Sequence, residues 1–224
     1  MMWIKERIIR CGLSPSYRLE MLNVLLEIGK WLKDNPFPST FESRYDLYRY
    51  MNHDIVRDGP IEYLEFGVWN GKSIKYWSEL NRHPDSRFFG FDTFEGLPER
   101  WRFFAKALPK GSFDAKGGTP EFDDARVIWI KGLFQNVLPD FLKRFTANHR
   151  LIINCDADLY SSTLYVLASM NPFLKPGSIV ILDEITTVDE FKAFRDFTQS
   201  FMRKYRVLAA AERLFYLRVA IEFV

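Results

Sequence analysis

The chain predicts an α/β domain: a mostly parallel, seven-stranded sheet with helices on both faces and an antiparallel pair of strands at the end. Three observations carry this. Short apolar runs alternate with helical stretches from residue 61 onward, the rhythm of a parallel sheet. Four of those runs close on acidic residues, which places the acids together along one sheet edge. The last two apolar runs follow each other with only a short turn between them.

Residues 1–58 read as helical. Leu22, Leu25, Leu26, Gly29 and Leu32 recur at helical spacing, so a helix is expected from Pro15 to Lys33, ended by Asn35-Pro36-Phe37-Pro38. A second, aromatic-rich helix is expected from Glu42 to Val56. This segment is read as an N-terminal extension (1–58) serving as packing, lid or dimerisation element, and 59–224 as the main domain.

Gly59-Pro60 then leads into a first strand, Ile61 to Phe66. A glycine turn follows, Gly67-Val68-Trp69-Asn70-Gly71, and Lys72 and Ser73 open a helix to Asn81. The strand Arg87–Phe91 ends on Asp92-Thr93. Residues 97–125 hold glycines, prolines and five aromatic residues, and a long loop of that composition suggests a substrate-facing lid. Val127–Ile130 is a strand closing on Lys131-Gly132, followed by a helix from Leu138. Leu151–Cys155 closes on Asp156-Ala157-Asp158, with a helix from Ser162 to Met170. Ile179–Leu182 closes on Asp183-Glu184, with a helix from Val188 to Phe201. Arg206–Ala211 and Leu214–Phe223 form the terminal pair.

Composition narrows the function. Hydrophobic content of 47% with 27% charged residues describes a globular chain. A net charge of +2 gives no field for nucleic acid. No apolar run reaches membrane-spanning length, no leader is recognisable, and two cysteines are too few for a disulfide framework, so a cytoplasmic protein is expected. The expected partners are a small hydroxylated acceptor and a second copy of the chain.

The turn after the first strand excludes two phosphate loops. Val68 and Trp69 stand where a dinucleotide fingerprint needs its second glycine, and only three residues separate Gly67 from Gly71-Lys72-Ser73, one fewer than a P-loop requires. Glu65-x-Gly67-x-x-x-Gly71 remains, and it resembles motif I of class I S-adenosylmethionine-dependent methyltransferases. The resemblance implies that Glu65, Gly67, Val68, Gly71 and Ser73 surround the amino-acid end of the cofactor. Asp92, with Thr93 beside it, is placed to take the ribose hydroxyls, although it also suits a turn cap. Gly132 and Gln135 are expected to border the adenine. Asp156, Asp158, Asp183 and Glu184 offer hard oxygen ligands without His or Cys, which suits Mg²⁺ and not zinc.

Further segments extend the likeness: Phe89-Gly90-Phe91-Asp92-Thr93-Phe94-Glu95-Gly96-Leu97-Pro98-Glu99, Lys131-Gly132-Leu133-Phe134, Asp156-Ala157-Asp158-Leu159-Tyr160-Ser161-Ser162-Thr163, and Asp183-Glu184. Together they resemble the macrocin and mycinamicin type of sugar O-methyltransferase, across residues 60–200. That resemblance implies a Rossmann-like fold and a metal site of Asp156, Asp183 and Glu184, with Asp158 as general base. It departs at Glu184, where the family usually has a second Asp. Two other readings stand beside it: a metal-independent small-molecule methyltransferase, and a non-catalytic cofactor- or nucleotide-binding protein.

Overall fold

The computed structural model describes residues 17–103, 106–212 and 217–224. In chain order the elements are α1 (Tyr17–Asp34), β1 (Thr40–Phe41), α2 (Arg44–Tyr50, continued by a π-helical turn Met51–Val56), β2 (Ile61–Phe66), α3 (Lys72–Leu80), β3 (Arg87–Asp92), β4 (Trp101–Phe103), β5 (Lys106–Leu108), β6 (Val127–Lys131), α4 (Phe134–Leu142), β7 (Arg150–Cys155), α5 (Tyr160–Met170), β8 (Ile179–Leu182), α6 (Val188–Ser200), β9 (Tyr205–Ala211) and β10 (Arg218–Phe223).

Eight strands form the main sheet in the order β1-β9-β10-β8-β7-β2-β3-β6. The five strands β8, β7, β2, β3 and β6 pair in parallel, and β10 runs antiparallel to both β8 and β9. The eighth strand is the two-residue β1, which lies parallel to the end of β9. The segment before residue 58 therefore joins the sheet. Its prolines and brevity hide the strand in the sequence.

Alternate residues of the central strands enter two cores. Leu64, Phe66, Phe91, Ile153 and Val180 face α1, α4, α5 and α6. Tyr63, Ile152, Ile179 and Ile181 face α2 and α3 with Leu47, Tyr48, Ile74 and Trp77. Coverage on both faces explains why β2 and β8 read as runs rather than alternations. Phe66 and Phe91 are register partners on β2 and β3, and their rings stack at 4.6 Å. Burial of each such ring stabilises the fold by about 1.5–3 kcal/mol. At the opposite end of the same strands, fully buried Glu62 accepts from Arg87 Nε at 2.8 Å and Nη2 at 2.6 Å. The expected lid, 97–125, carries the small hairpin β4–β5.

Candidate functional site

The strand ends build the site. Beyond the strands the hydrogen-bond ladder continues by one step across neighbouring chains. Asp183 N–H donates to Cys155 O, Asp156 N–H to Phe66 O, Gly67 N–H to Phe91 O, and Gly132 N–H to Asp92 O, all at 2.9–3.1 Å. These bonds fix the acids after β8, β7 and β3, and the turn after β2, in a single row. They border a cavity of about 390 Å³, the location expected for ligands in an open parallel sheet.

Glu65, Gly67, Val68, Ser73, Asp92, Thr93, Gln135, Asp156, Asp158, Asp183 and Glu184 all line that cavity. Gly71 and Gly132 do not. Gly71 precedes α3 with Pro120 packed against it, and Gly132 turns the chain beside Val137.

Gly67 has φ +91°, and a Cβ there would lie 1.7 Å from the Asp156 carbonyl oxygen. The β2 turn can approach β7 this closely only without a side chain. Asp92 ties the same turn from the other side. Its Oδ2 accepts from Val68 N–H (2.8 Å) and Trp69 N–H (2.7 Å), and its Oδ1 from Phe94 N–H (2.7 Å). The turn-cap role is thus realised. Thr93 Oγ1 is spent locally, donating to Gly96 O and accepting from Glu95 N–H.

Asp158 adopts φ +58° in the tight turn before α5. A non-glycine residue held in this left-handed region marks a constrained, commonly functional position. Burial first, then the neighbouring Glu184, Asp183, Asp189 and Asp92 charges, push its carboxyl well above the ordinary range. Burial and Asp183 do the same to Asp156. Glu65 rises to about 8, chiefly by burial, against the opposing hydrogen bond it accepts from Tyr63 Oη at 2.6 Å. Burial, then Asp183, lifts Glu184 to about 7. Burial thus raises Glu65, Asp156, Asp158 and Glu184 together, and a cationic ligand in the crevice would favour their ionised forms.

This has a measurable consequence for the ligand-free protein. Glu65 moves from the ordinary 4.5 to about 8 on folding, so the folded state holds a proton that the unfolded state has released. The associated stability is full below about pH 4.5 and is lost as pH rises through about 8. Thermal unfolding in a buffer series should show Tm falling by about 3 °C or more between about pH 6 and pH 8.5. A Tm that climbs over this interval would contradict a buried, protonated Glu65.

Two arginines were not foreseen. Arg218, at the start of β10, is 2% exposed at its side chain and grips Asp183 with both arms of its fork: Nε on Oδ1 and Nη2 on Oδ2, the latter at 2.6 Å. Its Nη1 pairs with Glu212. Arg44, from α2, lines the cavity and lies 3.7 Å from Glu212. The sequence signal for Arg218 was a lone cation inside an apolar strand, which almost always means a buried partner.

Asp183 therefore has both oxygens engaged by a guanidinium. Among the described residues no group of three or more His, Cys, Asp or Glu side chains is arranged to hold a metal ion. The Asp156, Asp183 and Glu184 set expected for Mg²⁺ does not fit that ion in this arrangement. Mg²⁺ demands near-octahedral oxygen ligation, and the charge of Arg218 sits directly on one of the three donors.

The segment 97–125 closes the outer wall. Leu97, Pro98, Trp101 and Phe113 line the cavity, and Phe113 meets the exposed Trp69 ring edge-on at 5.6 Å. Glu99 accepts from Ser161 Oγ at 2.5 Å, which anchors the segment to α5. No helix among the described residues is long and apolar enough to cross a membrane.

Comparison with known proteins agrees with this geometry. Residues 64–185 match a family model described as a methyltransferase domain. The chain is 29% identical over 182 residues to the 8-demethyl-8-(2,3-dimethoxy-alpha-L-rhamnosyl)-tetracenomycin-C 4'-O-methyltransferase of Streptomyces olivaceus, covering 73% of this chain and 67% of that protein. Its fold is similar to that of CalS11, a calicheamicin methyltransferase, with a TM-score of 0.59, 21% identity and 95% of each chain covered. It is also similar to an O-methyltransferase from Bacillus cereus solved with S-adenosylhomocysteine, with a TM-score of 0.55, 13% identity and coverage of 97% and 96%.

Proposed function

Because this chain belongs to the methyltransferase-domain family, we propose that it methylates a sugar hydroxyl on a small glycosylated acceptor, with Asp158 as the general base. It is an S-adenosylmethionine-dependent O-methyltransferase; the acceptor and the residue roles are our reading. The observation that carries it is the row of four acids at adjacent strand ends around one cavity, with the constrained Asp158 among them.

When bound, S-adenosylmethionine supplies a methyl group already activated as a sulfonium. Glu65, Gly67, Val68 and Ser73 would receive its amino-acid end, Asp92 and Thr93 its ribose, and Gln135, flanked by Leu133 and Phe134, its adenine. The closeness permitted by Gly67 lets backbone groups rather than side chains form this part of the wall. Asp158, in its ionised form, would accept the proton that the acceptor hydroxyl gives up on methylation, the cofactor's sulfonium leaving as the neutral thioether once its bond to the methyl carbon breaks. Trp69, Leu97, Pro98, Trp101 and Phe113 hold the acceptor and exclude water. A sugar is favoured by the rhamnosyl substrate named for the Streptomyces olivaceus relative, and by an aromatic wall able to stack on an attached aglycone.

The test is a panel of rhamnosylated aromatic glycosides, the free sugars and the aglycones, each incubated with S-adenosylmethionine and analysed by mass spectrometry with fragmentation. Methyl gain on the sugar fragment of the glycosides is the expected outcome. Methylation confined to phenolic hydroxyls of the aglycones would overturn the sugar assignment and retain the enzyme class.

A further inference from the structure

We infer that the buried guanidinium of Arg218 is the site's permanent counter-charge, so that this methyltransferase operates without a divalent cation. The inference rests on the methyltransferase reading above and says how its acidic crevice is neutralised.

The geometry is that of a built-in pair. β10 runs antiparallel to β8 with Val219 opposite Leu182, so Arg218 and Asp183 are the next residues outward on the two strands. The fork of Arg218 meets Asp183 on both oxygens, with one contact at 2.6 Å, and its third nitrogen is held by Glu212. Both partners are nearly inaccessible, at 2% and 5% side-chain exposure. A planar guanidinium held at three points and 2% exposed is fixed by its partners. Bidentate pairing of this kind is the strongest form of charged hydrogen bond.

A divalent cation would need Asp183 as a ligand and would have to approach a fixed positive charge to reach it. A second cation, Arg44, lies on the cavity wall beside Glu212. Asp156, Asp183 and Glu184 thus meet two guanidinium charges from their own chain, which they share with Glu212. The unpartnered, buried Oε2 of Glu184 is left as an acceptor for a substrate hydroxyl. Arg218 acts through Asp183 and is a positioning residue.

The experiment is titration of Mn²⁺ into the purified protein, followed by the loss of the free-ion electron paramagnetic resonance signal, alongside calorimetric binding of S-adenosylhomocysteine with and without EDTA. The wild type should show no Mn²⁺ site that Glu184→Gln removes, and EDTA should leave S-adenosylhomocysteine affinity unchanged. Arg218→Gln keeps hydrogen bonding but removes the charge, and should gain Mn²⁺ affinity by about tenfold or more, the usual reach of a neighbour on a metal ligand. Sub-millimolar Mn²⁺ binding by the wild type that Glu184→Gln abolishes would overturn the inference, as would a folded Arg218→Gln with no gain. If Arg218→Gln does not fold, the wild type and Glu184→Gln decide. Failure to bind S-adenosylhomocysteine in any buffer would instead strike the functional reading, independently of the Mn²⁺ result.

Discussion

Asp158→Asn is expected to slow methyl transfer by about 10²–10⁴-fold, the range for removal of a general base, while S-adenosylhomocysteine binds within about twofold of wild type. The substitution keeps the shape and the local turn at φ +58° but gives up the proton acceptor. In the wild type, burial and the acids around it hold Asp158 well above the ordinary carboxyl range. The rate should therefore rise with pH along a limb displaced upward from that of a free aspartate, because the base works only when ionised. That limb should vanish in the variant. Transfer of a radiolabelled methyl group across a pH series, paired with calorimetry, measures both. A variant rate within about tenfold of wild type would remove Asp158 from the role of base.

Gly67→Ala is expected to be the most damaging single methyl in the chain. The added carbon would sit 1.7 Å from the Asp156 carbonyl oxygen and 2.7 Å from its carbon. That obstacle is backbone, held in place by the Asp156 N–H bond to Phe66 O. Strand β2 must part from β7, or the turn must abandon φ +91°, and either destroys the wall around Val68. A loss of about 3 kcal/mol or more is expected, lowering Tm by roughly 6–12 °C for a chain of this size, with cofactor binding lost in whatever remains folded. Gly111→Ala is the control. Its φ is +84°, but nothing lies within 4 Å of the added carbon, so only backbone strain of about 1–2 kcal/mol applies. Equal melting temperatures for the two variants would show that strain, and not the collision, governs this turn.

The row of acids was legible in the sequence because each acid lies at the end of an apolar run, and a parallel sheet puts all such ends on one edge. Residues 65, 92, 156 and 183 needed only that rule. Arg218 was beyond it. Its meaning depends on the register of β10 against β8, a pairing between residues 35 apart, and register is not written in either strand alone. With Arg218 unseen, the acids lacked a visible cation, and a metal was the reasonable way to supply one. The strand β1 was lost because two residues in a proline-bounded stretch carry no periodicity. Segments 104–105 and 213–216, which interrupt the expected lid and the final turn, lie outside the described residues.

The place of β10 bears on how the enzyme comes into being. Among the described residues it follows every other strand in chain order yet lies between β9 and β8, inside the sheet. While the polypeptide is emerging from the ribosome, β8 and β9 have already been made but cannot yet be joined, and β8 presents an unpaired edge of four buried apolar residues. At that stage Asp183 also stands without Arg218. Seating β10 joins β9 to β8 and brings Arg218 to Asp183 in one event. Nascent molecules halted before this strand would be open-edged and prone to self-association, and a chaperone that shields β8 until then would protect the active site as much as the fold.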